Sequence, residues 1–312
     1  MKLSWVLMQQ VLVMFLLIGV GFFCVKRNII SEKGSKQLSD LLIYIVVPCL
    51  AIDVYQVDMD TGIIKGIILA FGLAIFSHIL AIVVAKLLFR KREDPRYRVE
   101  RFAAVYSNAG FMGLPLVQAT MGDEGVIFAT AYLATFNLFA FSLGAMELQG
   151  EGHRPKVRSI LLHPGIWSVI VGVLLFCFQI HLPNPIGPAI KYVASMNTPL
   201  GMMACGAFIA GTKLKGMFRN KGMYGVCAVR LLLIPLLLIL IYKLAGVMHW
   251  FEGAEMVVII NLITASCPTA AMASIMSKQY NQDAAYGGQL VAVTTILSIV
   301  TLPLVVMVAQ LI

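Results

Sequence analysis

The chain has 312 residues, of which 60% are hydrophobic and 12% are charged, and its mean hydropathy is +0.88. Soluble domains carry about 25% charged residues, so this composition excludes a soluble globular protein and indicates a polytopic membrane protein. The formal net charge is +9. The six cysteines lie in or beside apolar segments and form no Cys-x-x-Cys pair, so we expect no disulfide, no bound metal and no cofactor.

The apolar segments predict the number of membrane spans. A spanning helix needs about 20 apolar residues, and the chain contains ten such segments joined by short connections. In chain order they are 5–25, 39–57, 62–88, 100–121, 125–147, 160–180, 188–211, 222–244, 254–277 and 285–311.

The basic residues fall on alternate connections, which predicts the orientation. Cytoplasmic connections carry an excess of Lys and Arg, so both termini should lie outside the cytoplasm of a cell (inner or plasma) membrane. This distribution explains the net charge without a nucleic-acid partner and suits contact with anionic lipid headgroups of the bilayer. The basic residues on this side are Lys26, Arg27, Lys33, Lys36, Arg90, Lys91, Arg92, Arg96, Arg98, Arg101, Arg154, Lys156, Arg158, Lys213, Lys215, Arg219, Lys221 and Lys278.

Four prolines inside spans indicate an internal repeat. Pro48 and Pro115 lie in the second and fourth spans, and Pro199 and Pro268 lie in the seventh and ninth, about 152 residues later. Two five-helix halves, 1–150 and 151–312, would insert with opposite orientation because five is odd, which is an inverted-topology repeat. A chance match of common prolines is the alternative. We expect Pro48 and Pro199 to break their helices.

Polar and helix-breaking residues interrupt the fourth and ninth spans. If both helices unwind and cross there, the N-terminal ends of the following half-helices bring free N–H groups and a partial charge of about +0.5 each, which favours an anion. The alternatives are an amide that caps a helix end and hydroxyls that bond their own helix. The candidate substrate-binding residues are Asn108, Gly110, Gly113, Pro115, Asn261, Ser266, Pro268 and Thr269.

Two further ionisable residues lie deep in predicted spans. Arg230 in the eighth span and His78 in the third are 152 residues apart, so they occupy equivalent repeat positions. Buried cations in a membrane are costly and usually functional. They could attract an anion, or they could be structural. Neither crossover segment, Asn108–Pro115 or Asn261–Thr269, contains Asp or Glu, which a cation carrier would need there.

These residues resemble the auxin efflux carrier family, which includes plant auxin carriers and bacterial malate or malonate permeases. The resemblance rests on Asn108-x-Gly110-x-x-Gly113-x-Pro115-Leu116, Ala265-x-x-Pro268, Lys278-x-Tyr280, Leu162-His163-Pro164-Gly165-Ile166-Trp167 and Leu200-Gly201-Met202. It implies an all-α fold of ten transmembrane helices, built as a five-plus-five inverted repeat with broken, crossing fourth and ninth helices. It also implies scaffold and transport domains drawn from both halves, dimerisation through the scaffold, and Asn108, Pro115 and Pro268 at the crossing. His163 departs from the asparagine that relatives often carry.

The expected function is secondary transport of a small organic anion, auxin-like or malate/malonate-like, by an alternating-access motion of the elevator type. The alternative is a cation/proton exchanger of related crossed-helix architecture. The coupling ion, H⁺ or Na⁺, is left open. The sequence contains no His-Glu-x-x-His, no Gly-x-Ser-x-Gly and no phosphate-binding glycine loop, so an enzyme is not expected.

Overall fold

The computed structural model describes residues 2–150, 164–212 and 220–309. Within these ranges the secondary structure is helical, apart from one isolated antiparallel bridge. Several residues discussed above lie outside the described ranges. They are Arg154, Lys156, Arg158, Leu162, His163, Lys213, Lys215 and Arg219.

The described part of the chain forms fifteen α-helices. They are α1 (Lys2–Lys26), α2 (Glu32–Leu41), α3 (Val47–Val54), α4 (Thr61–Leu88), α5 (Arg96–Val105), α6 (Leu114–Phe139), α7 (Ala145–Gln149), α8 (Pro164–Cys177), α9 (Ile186–Ser195), α10 (Asn197–Gly211), α11 (Lys221–Ala228), α12 (Ile234–Leu244), α13 (Ala254–Ser266), α14 (Met272–Gln279) and α15 (Ala284–Ala309). Four π-helical turns (Leu42–Val46, Ala109–Gly113, Ala140–Gly144 and Val229–Leu233) and a 3₁₀ turn (Val247–His249) complete the helical structure.

Seven helical segments among the described residues are long and apolar enough to cross a membrane. They are Met8–Lys26, Lys33–Val54, Thr61–Leu88, Ala109–Gln149, Ile186–Gly211, Gly222–Leu244 and Ala284–Ala309. The shorter helices α8 and α13 are also apolar. An all-helical, multi-pass membrane architecture is therefore confirmed, whereas the ten-span count and the inverted repeat stay predictions.

The described residues contain seven long apolar helical segments, whereas ten spans were predicted, and this difference has local causes. The segment Ala109–Gln149 contains both the end of the predicted fourth span and the predicted fifth span, and it is interrupted at Gly122, where φ is 72°. Glycine adopts this left-handed backbone conformation at little cost. The predicted ninth span, 254–277, is divided in the structure, because α13 ends at Ser266 and α14 begins at Met272. Helix α8 begins at Pro164, at the edge of the described residues.

Three of the four π-helical turns end two residues before a proline. The turns end at Val46, Gly113 and Leu233, and the prolines are Pro48, Pro115 and Pro235. A proline has no N–H and its ring clashes with the carbonyl four residues earlier, and a wider turn relieves that clash.

The two prolines expected to break helices behave differently. Pro48 lies in a widened but continuous helical segment, because the residues on both sides of the π-turn keep right-handed helical angles. Pro199 lies in the first turn of α10, which a single turn residue, Met196, separates from α9. A proline is tolerated in a first turn because the N–H it lacks would have no helical partner there.

Helices α1 and α10 pack with their backbones in contact and so join the N-terminal and C-terminal halves of the chain. A Cβ on Gly21 would lie 2.7 Å from the Cα of Met203, and a Cβ on Gly206 would lie 2.8 Å from the backbone nitrogen of Phe22. Small residues allow this close approach between membrane helices.

The helices around the interior bring the chain interruptions to the centre of the molecule. Helix α6 packs against α4 and α13, and α5 packs against α11 and α15. Side-chain caps fix where the outer helices begin: Asp60 accepts hydrogen bonds from the N–H groups of Gly62 (2.6 Å) and Ile63 (3.3 Å) at the start of α4.

Candidate functional site

The chain leaves the helical path between α5 and the turn that leads into α6. Helix α5 ends at Val105, Tyr106 is extended (φ −96°, ψ 110°), and Asn108 has φ −77° and ψ 52°. The helical path resumes at Ala109. A helix end of this kind leaves carbonyl groups on one side and N–H groups on the other without partners in their own helix.

A second interruption separates α13 from α14. Helix α13 ends at Ser266, Cys267 takes an extended conformation (φ −59°, ψ 151°), and α14 begins at Met272. Pro268 lies inside this interruption, where its missing N–H removes no helical hydrogen bond.

The two interruptions pair with each other. Asn108 donates its backbone N–H to the carbonyl oxygen of Pro268 (2.7 Å), and Ala270 donates its N–H to the carbonyl oxygen of Tyr106 (2.9 Å). Ser107 and Thr269 form an antiparallel bridge between these two bonds. Asn108 and Pro268 are therefore in direct contact, and the breaks satisfy part of each other's backbone.

Arg230 binds the carbonyl ends of the helices that lead into the breaks. Its side chain is fully buried. Its guanidinium donates to four carbonyl oxygens: those of Ala104 (3.2 Å), Val105 (2.9 Å), Ala265 and Cys267 (3.1 Å). A helix carries a partial negative charge at its C-terminus, so Arg230 compensates that charge on α5 and α13 together.

The helix N-termini beyond the breaks have no such compensation. Neither first turn, both of which lie in the described part of the chain, contains Asp or Glu. The Asn108 side chain lies at the first of these N-termini and is 5% exposed. Its amide nitrogen lies 3.5 Å from Sγ of Cys205 on α10, which is a weak hydrogen bond. This end of the crossing therefore combines partial positive charge with a weakly bonded amide.

Two of the predicted hydroxyl ligands bond to the backbone. The Thr269 hydroxyl donates to the carbonyl oxygen of Ala103 (2.9 Å), and the backbone N–H of Thr269 donates to the hydroxyl of Thr294 (3.1 Å). The Ser266 hydroxyl donates to the carbonyl oxygen of Leu262 in its own helix. These contacts hold the second break in place.

Asn261 belongs to a separate buried cluster. Its amide oxygen accepts hydrogen bonds from the hydroxyls of Ser77 (2.8 Å) and Tyr242 (2.9 Å), and these two hydroxyls lie 3.0 Å apart. The cluster joins α4, α12 and α13. Asn261 precedes Ser266 by five residues, about 7.5 Å along the helix axis. Its oxygen is therefore engaged away from the paired breaks.

The predicted glycines and proline of the first break have distinct surroundings. A Cβ on Gly113 would lie 3.3 Å from Cγ2 of Thr264 and 3.5 Å from Sγ of Cys267, so this glycine permits the turn after the first break to pack closely against the end of α13. Gly110 is partly exposed. Pro115 lies in the first turn of α6.

His78 lies behind the first break, in an aromatic cluster. Its ring centroid is 4.9 Å from that of Tyr132, 5.3 Å from that of Phe139 and 6.3 Å from that of Tyr106. Its Nδ1 lies 2.8 Å from the carbonyl oxygen of Ala74, which makes Nδ1 the donor, and Nε2 has no hydrogen-bond partner among the described residues.

Comparison with known proteins identifies the chain. A family model with the description "Membrane transport protein" matches residues 6–306. The chain belongs to this membrane transport protein family. The resemblance that the sequence motifs indicated is confirmed, and the protein is a multi-pass membrane transporter of that family.

Three relatives in this comparison cover most of both chains. An "Uncharacterized transporter" from Methanothermobacter thermautotrophicus is 25% identical over 95% of this chain and 96% of its own length. An "Uncharacterized transporter" from Methanocaldococcus jannaschii is 24% identical over 95% of this chain and 97% of its own length. A protein from Rhizobium meliloti named "Putative malonate transporter" is 23% identical over 93% of this chain and 92% of its own length.

Sequence reasoning missed four polar residues of this membrane transport protein that contact predicted site residues. Ser77 and Tyr242 bind Asn261, Thr294 binds the second break, and Cys205 faces Asn108. Their polar side chains within apolar segments were the available signal, because a polar group in a membrane span needs a partner. Their partners lie far away in the chain, so spacing could not identify them.

Proposed function

We propose that this protein is a secondary transporter that moves a small organic anion across the membrane. The observation that carries the proposal is the asymmetry of the paired helix breaks. Arg230 covers the carbonyl ends of α5 and α13, whereas the N-terminal ends beyond the breaks carry no acidic residue in their first turns within the described chain. Broken helices whose N-termini face a substrate are a recurring device of secondary transporters.

A carboxylate fits this arrangement on electrostatic grounds. Each helix N-terminus provides N–H donors and a partial charge of about +0.5, and both favour an anion. The Asn108 amide can add one further donor, because its present contact with Cys205 is weak. A mono- or dicarboxylate of the malate, malonate or auxin-like type is the proposed substrate. The name of the Rhizobium meliloti relative supports a dicarboxylate.

The burial of Asn108 supports a moving mechanism. Its side chain is 5% exposed and lies against Cys205 on α10. A substrate can reach the amide only if the paired breaks and α10 separate. In the proposed alternating-access cycle of elevator type, the crossed helices move as a transport domain against a scaffold that includes α1 and α10. The proposal retains ten spans in two inverted halves, both termini outside the cytoplasm of a cell membrane, and a homodimer formed through the scaffold.

A cation/proton exchanger has less support. Glu100 is the one acidic side chain that is fully buried among the described residues. Both of its carboxylate oxygens accept hydrogen bonds from Arg92 (2.6 and 2.7 Å), and Oε1 also accepts one from the hydroxyl of Tyr286 (3.1 Å). A carboxylate with these partners has little capacity left for a transported cation.

The test is transport by the purified protein in proteoliposomes. Labelled malonate, malate and indole-3-acetate are each offered with and without unlabelled acid inside, so that exchange is measured without a coupling ion. We expect saturable exchange for at least one acid and a marked but incomplete reduction of that exchange in Asn108→Ala. Asn137→Ala is the matched control, because it removes another buried amide from the same helical segment. No saturable exchange for any of the three acids, or exchange unchanged in Asn108→Ala, would overturn the proposal.

A further inference from the structure

A cavity outside the paired breaks lies between the end of α4, helix α5 and helix α7. Its volume is about 290 Å³. Its walls include the basic residues Lys86, Arg98 and Arg101, together with Glu147. By the distribution of basic residues, this is the predicted cytoplasmic face.

The cations of this cavity exceed its acidic groups. Arg101 forms an ion pair with Glu147 (2.8 Å) and donates through Nε to the carbonyl oxygen of Phe89 (2.7 Å). Arg98 donates to the hydroxyl of Tyr97 (3.2 Å) and has no ion pair within the described chain. Lys86 has neither an ion pair nor a hydrogen-bond partner among the described residues. Two positive charges therefore face the cavity without an acidic partner.

The lining of the same cavity also includes exposed apolar side chains. Leu143 and Met146 line it and are 45% and 38% exposed. They lie near the end of the membrane-spanning segment Ala109–Gln149, and Lys86 lies near the end of the segment Thr61–Leu88. The cavity thus lies where two membrane segments end, and its lining combines cations with exposed apolar side chains.

We propose that this cavity binds the headgroup of an anionic phospholipid. The phosphate would lie between Lys86 and Arg98, and the acyl chains would run along Leu143 and Met146. Basic pockets between membrane helices at the cytoplasmic side suit such headgroups. A soluble anion shares the phosphate chemistry, but it would gain nothing from the exposed apolar side chains of Leu143 and Met146. The lining also includes Val105 and Tyr106, so a bound lipid would lie beside the first helix break.

The experiment measures lipid binding directly and does not depend on transport. The protein is reconstituted in phosphatidylcholine nanodiscs with graded phosphatidylglycerol, and the lipid retained after extraction is counted by native mass spectrometry. We expect one saturable phosphatidylglycerol site in the wild type. Lys86→Gln with Arg98→Gln should weaken it about thirtyfold, because each cation near a membrane surface contributes about 1 kcal/mol, or about fivefold.

The matched control is Arg90→Gln. Arg90 is exposed, follows Lys86 by four residues and lies outside the cavity lining, so its replacement should leave retention unchanged. If the double variant does not fold, Lys86→Gln alone should weaken retention about fivefold. Equal losses in Arg90→Gln and the cavity variants would overturn the proposal, because they would indicate a general surface charge effect. Glycerol phosphate that binds as tightly as phosphatidylglycerol would also overturn it, in favour of a soluble anion.

Discussion

Arg230 and Val105 are joined by a hydrogen bond of 2.9 Å from the guanidinium to the carbonyl oxygen. The same guanidinium bonds Ala104, Ala265 and Cys267, so one cation links the ends of two helices that lie about 160 positions apart in the chain. Because these donors go to backbone oxygens, we predict that Arg230 positions the crossing rather than binding substrate. The positive charge of Arg230 thus lies at the carbonyl ends that lead into the breaks, whereas the first turns beyond the breaks contain no acidic residue within the described chain.

Replacement of Arg230 should destabilise the protein. Arg230→Met leaves several buried carbonyl groups without donors, and each such group costs about 1–3 kcal/mol, so we expect a loss of about 3 kcal/mol or more. Thermal unfolding in detergent measures the change. Arg230→Lys keeps the charge but has fewer donors in a different geometry, and it should fall between Arg230→Met and the wild type. An unfolding midpoint for Arg230→Met equal to the wild type would contradict the structural role.

The contact between α1 and α10 should not tolerate a methyl group. Gly21→Ala and Gly206→Ala each place a Cβ against the backbone of the facing helix, and overpacking of this kind costs about 1–3 kcal/mol. Gly19→Ala is the matched control, because a Cβ at Gly19 meets no atom within 4 Å. That change should be neutral or stabilising by up to about 1 kcal/mol. Equal effects of Gly19→Ala and Gly21→Ala on thermal unfolding would refute this packing.

The Ser77, Tyr242 and Asn261 side chains should act as one structural unit. Tyr242→Phe and Ser77→Ala each remove a donor to Asn261 and should cost about 1 kcal/mol. The double variant should show a coupling energy of at least about 0.5 kcal/mol, because the three groups share hydrogen bonds. Exchange of substrate should keep its KM in both single variants. A raised KM without loss of stability would instead assign this cluster to substrate binding.

The interrupted segments could be predicted from the sequence, but the partners of their side chains could not. Asn108, Gly110, Pro115 and Pro268 indicated where the helices leave their regular path, because glycine, proline and asparagine disfavour a continuous helix. The structure has interruptions at Tyr106–Asn108 and at Cys267–Ala271, which overlap these motifs. Local residue chemistry was sufficient for this prediction.

The destination of each polar side chain depends on helix packing that no spacing rule encodes. Asn261 lies one and a half turns from the second break, and its direction on α13 turns it toward Ser77 and Tyr242. Pro48 was expected to break its helix, whereas a π-helical turn absorbs the clash with the preceding carbonyl. Glu100 received no role from the sequence, because its partner Arg92 was interpreted only as a loop cation.

Asn108→Asp should separate stability from function. Aspartate is a favourable residue at a helix N-terminus. The free energy of unfolding of this variant should therefore stay within about 1 kcal/mol of the wild-type value. Its negative charge would repel a carboxylate, so exchange of the transported acid should fall further than in Asn108→Ala. Thermal unfolding and acid exchange are both measured on the same proteoliposome preparations of each variant. Exchange in Asn108→Asp that equals or exceeds that of Asn108→Ala would contradict anion binding at this residue.

The most direct test of the central claim is the distance between a bound carboxylate and the N–H groups that follow the first break. Protein labelled with ¹⁵N at alanine and glycine binds ¹³C-carboxylate malonate, or whichever of the three acids exchanges, and solid-state NMR dipolar recoupling measures the contact. We predict dephasing of the Ala109 and Gly110 nitrogens and none of the Gly72 nitrogen on α4. Saturable binding of the acid with no dephasing at Ala109 or Gly110 would contradict the account.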